Sequence, residues 1–466
     1  MKEPSMSATK TTRTSAEREA QAELTKTPPT SVFDLGPGID PAEIGRKIYE
    51  LIVELYPICR SITGDGFRKT MSLLQKLIPL TVQEVPTGTQ VFDWTVPREW
   101  NIRDAYVKNS RGERVIDFQR SNLHVLNYSV PVSRKMPLAE LKEHLFTLPD
   151  RPDWVPYRTS YYRENWGFCL SHNQLQKLSE GEYEVCIDSS LENGSLTYGE
   201  YFLAGESTDE ILISCHSCHP SLCNDNLSGV SIAALLAKAL AGAARRYSYR
   251  FLFIPGTIGS ITWLSRNEEA ARRIRHGLVL ACLGDRGGMS YKRSRRGNAE
   301  IDRAVVQVLQ HSGHAFAVRD FSPYGYDERQ YCSPAFDLAV GCISRTHHGK
   351  FPEYHTSEDN LNFVLPASLG DSFSKILTVL GVLEENRVYV NQSPKGEPQL
   401  GRRGLYRNIG GHVDAEAREM AMLWVLNQSD GAHGLLDIAE RAGMAFEQIR
   451  RAARDLEECG LLTKQS

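Results

Sequence analysis

The residues best able to do chemistry crowd into Ser214 to Gly229, SCHSCHPSLCNDNLSG, which holds two histidines, three cysteines and one aspartate. The stretch follows an apolar run, EILIS, and precedes a helical pattern, VSIAALLAKALAGA. In open parallel sheets ligands bind at the carboxyl ends of strands, so the location suits a site before any motif is named. Four readings fit the cluster. Cys215, Cys218 and His219 satisfy the C-x-x-C-H of covalent haem attachment, but nothing in the N-terminal stretch reads as an export signal. Cys215, Cys218 and Cys223 offer three sulfurs to a structural zinc ion, yet no second C-x-x-C occurs to complete it. The histidines can also be capping or core residues, with Asn224, Asp225 and Asn226 merely turning the chain into the helix. In the fourth reading, His219 and Asp225 bind a hydrolytic metal ion, because imidazole and carboxylate on short rigid connections suit a zinc-like Lewis acid with one position left open for water.

Further ligands would have to come from later strand ends. Asp285 closes the apolar run GLVLACLG, and His355 lies in FPEYHTSEDNL after the strand-like AVGCI. Alone, the first is ordinarily a turn residue and the second an exposed one. Together, His219, Asp225, Asp285 and His355 predict side chains that converge on a shared cation at one edge of a sheet.

The surrounding pattern predicts what must hold them. Residues 1–38 are rich in Thr, Ser, Lys, Glu and Pro and read as a disordered tail. Ile44, Ile48, Leu51, Ile52 and Leu55, then Phe67, Met71, Leu74 and Leu77, recur at helical spacing on either side of CRSITGDG. Residues 86–204 hold short β-prone runs (VFDWTV, SNLHVLNYSVPV, YEVCIDSSL, SLTYGEYFLA) punctuated by Gly, Pro, Asn and Asp, and predict an inserted β-rich domain. From 205 to 390 strands and helices alternate, the signature of an α/β fold with a mostly parallel sheet flanked by helices; residues 39–85 complete this catalytic domain. Residues 391–466 read as a linker, NQSPKGEPQLGRRG, and three short amphipathic helices ending in a strand, the outline of a winged helix-turn-helix.

The order His219, Asp225 within NDNLSG, the turn TIGS, Asp285, then His355 within YHTSEDNL resembles the aminopeptidase-like zinc hydrolases, which include zinc aminopeptidases and glutaminyl cyclases. CHPSLCNDNLSG, TIGSITWL, GYDERQYCSP and FPEYHTSEDNL are closer still to a bacterial subfamily with a nested β domain and a C-terminal winged helix, associated with polysaccharide or natural-product pathways. The resemblance covers about residues 41–466. It implies one or two zinc ions, with His219, Asp225 and Asp285 at one site, Asp225 bridging, and His355 at the second. One departure stands out: the aminopeptidases carry two adjacent glutamates, a general base and a metal ligand, where this chain has Pro255, Gly256 and Thr257. GYDERQ offers a replacement in Asp327, Glu328 and Arg329: Glu328 as the base and Arg329 as a bidentate clamp on a substrate carboxylate. Read without function, the same loop is a solvated charged turn. Arg60 and Ser61 in CRSITGDG are weaker candidates for lining the cleft, and the aromatic residues of the insertion either cap it or fill their own core.

With 54 basic and 57 acidic residues the chain has a formal charge of −3, which gives it no global pull toward nucleic acid or anionic lipid. The tail from 415 to 466 carries six basic and nine acidic residues, so its role is expected to be protein contact, homo-oligomerisation included, rather than nucleic-acid binding. No apolar run is long enough for a membrane span, and ten scattered cysteines suit a reducing cytoplasm. The sequence thus predicts a cytoplasmic, metal-dependent aminopeptidase-like hydrolase of small peptides or amides. The alternative is a catalytically degenerate ligand-binding or regulatory protein that uses the winged helix for protein or DNA contact.

Overall fold

The computed structural model describes residues 30–405 and 413–465. Eight strands form the main sheet: β1 (Thr81–Pro86), β2 (Ser195–Leu203), β3 (Glu210–His216), β4 (Ser248–Ile254), β5 (Ile274–Leu280), β6 (Met289–Lys292), β7 (Phe316–Arg319) and β8 (Val340–Ser344). Their spatial order is β1, β2, β4, β3, β5, β8, β6, β7. The central four, β4, β3, β5 and β8, are mutually parallel, whereas β1 and β2 add antiparallel strands at one edge. Every residue of β3 and of β4 is buried, as continuous apolar runs require in a parallel sheet covered on both faces. Helices α1 (Pro41–Leu55), α2 (Asp65–Leu74), α3 (Ser228–Leu240), α4 (Ile258–Arg266), α5 (Glu300–Gln310) and α6 (Pro366–Glu385) surround it. The periodic residues of α1, Ile48, Leu51, Ile52 and Leu55, are all buried, and Asp40 caps the helix by accepting from the Ala42 amide.

Two glycines set the crossing of α1 with α6. A Cβ on Gly370 would stand 1.9 Å from the Pro41 carbonyl oxygen, and one on Gly45 would stand 2.1 Å from the Pro366 carbonyl oxygen. Both obstacles are backbone, so the helices themselves would have to separate. Gly370→Ala is expected to destabilise the protein by about 1–3 kcal/mol, read as a lower urea midpoint at unchanged slope.

The second sheet is antiparallel, in the order Arg114–Asp117, Glu99–Lys108, Glu182–Glu192, Val132–Pro137. Buried and part-buried residues alternate along Glu182–Glu192, and one face packs its own core of Val107, Met136, Leu141, Phe168 and Val185. Both Thr81–Pro86 and Ser195–Leu203 belong to the main sheet, so the inserted sheet is contained within 87–194 rather than the expected 86–204. Both strands resemble the insertion's own in residue type, and only their pairing, β1 with β2 and β2 with β4, assigns them to the main sheet.

Arg68 of α2 ties these parts together, donating to Glu99 of the insertion at 2.6 and 2.7 Å and to Glu84 of β1 at 3.1 Å. The bidentate bonds from Arg68 hold the Glu99 carboxyl down to about 2. A depressed carboxylate contributes stability that is present above its unfolded value and lost as pH falls through the folded one. Unfolding free energy is therefore expected to drop from near pH 4.5 toward about 2. Arg68→Met is expected to flatten that limb in urea titrations taken across the range.

The C-terminal unit has three helices, Val413–Gln428, Leu435–Ala442 and Phe446–Glu458, and a three-stranded antiparallel sheet of Val388–Asn391, Asp430–Gly434 and Leu462–Lys464. Its first strand starts before the expected boundary at 391. It docks on the main body: Arg303 of α5 pairs with Asp437 and Glu440, and Gln307 donates to the Met444 carbonyl at 2.6 Å. Residues 1–29 lie outside the described residues, but the rest of the expected disordered tail is built in. Val32–Leu35 forms a short helix with Val32 fully buried. Asp34 accepts from Arg450 at 3.1 Å, and the Arg450 guanidinium lies 4.0 Å from the centre of the Phe33 ring.

Candidate metal centre

Strand β3 ends on His216, and the next nine residues loop across the carboxyl edge of the parallel sheet to Asp225. His216 Nε2 lies 2.8 Å from Asp225 Oδ1. On the other oxygen, Oδ2, His219 Nδ1 lies at 3.2 Å and His355 Nε2 at 2.9 Å. Asp225 is fully buried. Burial alone would raise its carboxyl, but His219 and His216 outweigh burial and hold it well below the usual carboxylate range. His219 moves the opposite way: burial works to lower it, and Asp225 nonetheless carries it well above the ordinary histidine value. His355 is pushed down, because burial exceeds the pull of Asp225.

A ring of polar groups fixes the loop. Asp359 accepts from the Asn224 and Asp225 amides at 2.5 and 2.9 Å, and burial pushes its own carboxyl up to about 7. Asn226 donates to the His216 and Leu280 carbonyls. Arg60 donates to the His219 carbonyl at 2.9 Å from behind, and Ser61 donates to Asn127, so both support the site while neighbouring Ile62 lines it. Thr257, Cys282 and His355 all hold positive φ, at 63°, 53° and 57°, without being glycine. Such strain gathers where the surrounding structure must aim a group.

The structure thus brings His219, Asp225 and His355 together and adds His216, which the pattern of residue types does not single out. Its signal was its place as the last residue of a buried strand. Asp285 lies outside the group: its carboxylate accepts from Asn224 at 3.0 Å and from the Gly287 and Thr346 amides and the Thr346 hydroxyl. The chain leaves β5 at Leu280, and the left-handed residue that follows, Cys282, turns its sulfur to Asp225 Oδ1 at 3.9 Å instead. Asp285 steadies Asn224, one residue before the central carboxylate.

Beside the cluster lies a cavity of about 420 Å³. Asp327 and Arg329 line it, and Glu328 does not. One residue along a helical turn rotates the side chain by about 100°, and Glu328 is directed inward to Lys292 Nζ at 2.7 Å, both groups buried. Asp327 Oδ1 accepts from the Thr257 amide and the Ser260 hydroxyl, each at 2.7 Å, and burial raises its carboxyl. Gly256 leaves room beside His216, where a Cβ would meet nothing closer than 3.5 Å.

The insertion supplies one wall. Trp94 and Tyr162, 41% and 50% exposed, pack edge to face at its rim. Trp100 and Trp166 instead serve the interior: Trp100 is buried and donates to the Ser129 carbonyl, and Trp166 packs against the insertion's core. Tyr157 donates from its amide to the His355 carbonyl at 2.8 Å, and Val155 and Ser357 bond each other's backbone and side chain. The insertion therefore both walls the cavity and holds the loop that carries His355.

The donor chemistry of this group, three imidazoles around one carboxylate with a cavity alongside, fits a zinc ion. A mixed, centrally parallel sheet flanked by helices, with an inserted antiparallel sheet and a winged helix behind it, defines an aminopeptidase-like protein. The fold is shared with BSAP, a zinc aminopeptidase from Bacillus subtilis, at a TM-score of 0.53 and 12% identity over 72% of this chain and 94% of that one. More particularly, the chain belongs to the DUF4910 family, a domain of unknown function, whose model matches residues 49–386; a winged helix-turn-helix model matches residues 387–464. A protein of Clostridium acetobutylicum, named as a candidate polysaccharide-biosynthesis protein with an aminopeptidase-like domain, is 56% identical over 421 residues, 90% of this chain and 97% of that one. A crystal structure of a candidate peptidase from Clostridium acetobutylicum superposes with a TM-score of 0.88 at 54% identity, covering 91% of this chain and 97% of that chain.

Proposed function

We propose that this protein is a metal-dependent hydrolase that cleaves an amide or peptide bond in a small substrate, using zinc held by His216, His219, His355 and Asp225. The observation that carries this reading is the convergence of three imidazoles on one buried carboxylate at the carboxyl edge of parallel strands, next to a cavity of substrate size. Bound there, zinc would supply Lewis acidity, polarising a carbonyl and acidifying a water. The chain's own groups provide the rest. Asp359 and Asn226 hold the Asp225 loop in place, and Asp327 is the carboxylate placed to accept a proton. Its Oδ1 is engaged by Thr257 and Ser260, which leaves Oδ2 for water, and a raised carboxyl is the better base. Water oxygen bonds to the carbonyl carbon, the carbon–nitrogen bond breaks, and the proton passes to the leaving amine.

A reducing cytoplasm suits the ten cysteines, all of which are free. Among the described residues no helix is long and apolar enough to cross a membrane. The name of the Clostridium relative supports a place in polysaccharide biosynthesis. Gly256 and Thr257 favour one other reading, a protein that binds metal and ligand without turnover. Elemental analysis of the purified chain, paired with a screen of acyl and aminoacyl amides, separates the two. Bound zinc with chelator-sensitive hydrolysis supports the hydrolase, bound zinc without turnover supports the binding protein, and a chain that takes up no divalent metal ends both.

A further inference from the structure

The charges of the cavity bear on what it accepts. Arg329 lines it, donates from Nη2 to the Thr257 hydroxyl at 3.2 Å, and has a buried Nε–H with no hydrogen-bond partner. Among the described residues it forms no salt bridge within 4 Å, and its charge acts only at longer range, on Asp327. A buried donor without an acceptor is costly, and a guanidinium fork is shaped for a carboxylate. The acids nearby are spoken for: Asp225 faces three imidazoles, and Asp327 is held by Thr257 and Ser260 and is needed for the proton. A substrate ammonium would find a guanidinium and no free carboxylate, whereas a substrate carboxylate would supply the acceptor that the Arg329 guanidinium lacks. Three aromatic side chains at the rim, Trp94, Tyr162 and Tyr324, are from 41% to 74% exposed and offer ring faces to an apolar or cyclic acyl group. A phosphate dianion would call for more than one fixed cation.

The geometry points to a small, amine-blocked amide bearing a free carboxylate as the substrate class, anchored by Arg329, rather than a peptide with a free amino terminus. This rests on the hydrolase reading, and the test keeps the two apart. Zinc-loaded full-length protein is given N-acetylphenylalanine, N-acetylphenylalaninamide and phenylalanine 4-nitroanilide, with hydrolysis and calorimetric binding both measured. The carboxylate compound is expected to exceed its carboxamide by about 10²-fold in kcat/KM and in affinity, and Arg329→Gln is expected to collapse that ratio toward one through KM. Arg329→Lys, which keeps the charge but loses the fork, is expected to restore part of it. Equal or better turnover of the carboxamide or of the free-amine anilide overturns the proposal and leaves the hydrolase intact. If nothing is hydrolysed, the hydrolase reading fails, and binding still decides: a carboxylate preference that Arg329→Gln abolishes upholds the anchor, and indifference to the carboxylate refutes it. The wild-type comparison needs no variant to fold.

Discussion

Asp225→Asn is expected to leave the protein folded but free of metal, and to cut amide hydrolysis by about 10³-fold. The substitution preserves shape and removes charge. In the native protein one buried carboxylate faces His216 on Oδ1 and both His219 and His355 on Oδ2. An asparagine would offer one oxygen and turn an amino group toward the remaining imidazoles, so no arrangement satisfies all three and no negative charge remains to balance a divalent cation. Two measurements check it. Elemental analysis should find zinc in the wild type and only traces in the variant. Ligand that binds only the folded state raises its unfolding temperature, so chelation should lower the wild-type midpoint and leave the variant unmoved. A variant with full metal content and normal turnover would show that the imidazoles alone suffice.

The second large effect concerns Glu328, whose substitution is expected to act on stability and not on the proton transfer. Glu328 and Lys292 are 0% and 5% exposed and bonded at 2.7 Å, and Lys292 also donates to the Tyr324 carbonyl at 2.8 Å. Removing one partner of a buried pair strands a charge, at a cost of about 3–5 kcal/mol. Glu328→Gln and Lys292→Met should each lower the unfolding free energy on that scale, while Lys292→Met with Glu328→Leu should lose much less than the two single losses combined. Since the pair fastens the loop before Asp327, each single variant should also raise KM. A Glu328→Gln protein of native stability with no turnover would return Glu328 to the role of base.

What the sequence revealed and what it concealed follow from the same physics. Polar residues that interrupt apolar runs are conspicuous, so His219, Asp225 and His355 could be picked out although 136 positions separate the first from the last. His216 escaped notice because it closes a strand whose every residue is buried, and a buried histidine at that point reads as part of the core. Asp285 was conspicuous for the same reason as its neighbours, but which strand-end residue faces inward depends on the turn, and a left-handed Cys282 took the place. Glu328 and Asp327 differ by a single step of rotation, which no pattern of residue types encodes. The layered α/β body and the winged helix were legible because repeats of 3.6 and 2 residues survive in sequence. The assignment of Ser195–Leu203 to one sheet or the other was not, since its residue types do not say which strands it pairs with.

The seating of Phe33 and Asp34 against Phe446 and Arg450 joins residues 416 positions apart. During synthesis the segment Val32–Leu35 can therefore complete its contacts only after Arg450 has left the ribosome, and until then its place beside α6 stays open to chaperones. The same seating commits the buried face of Phe446–Glu458, through Arg450, to residues 33 and 34 of its own chain, while Arg451 on that helix stays exposed.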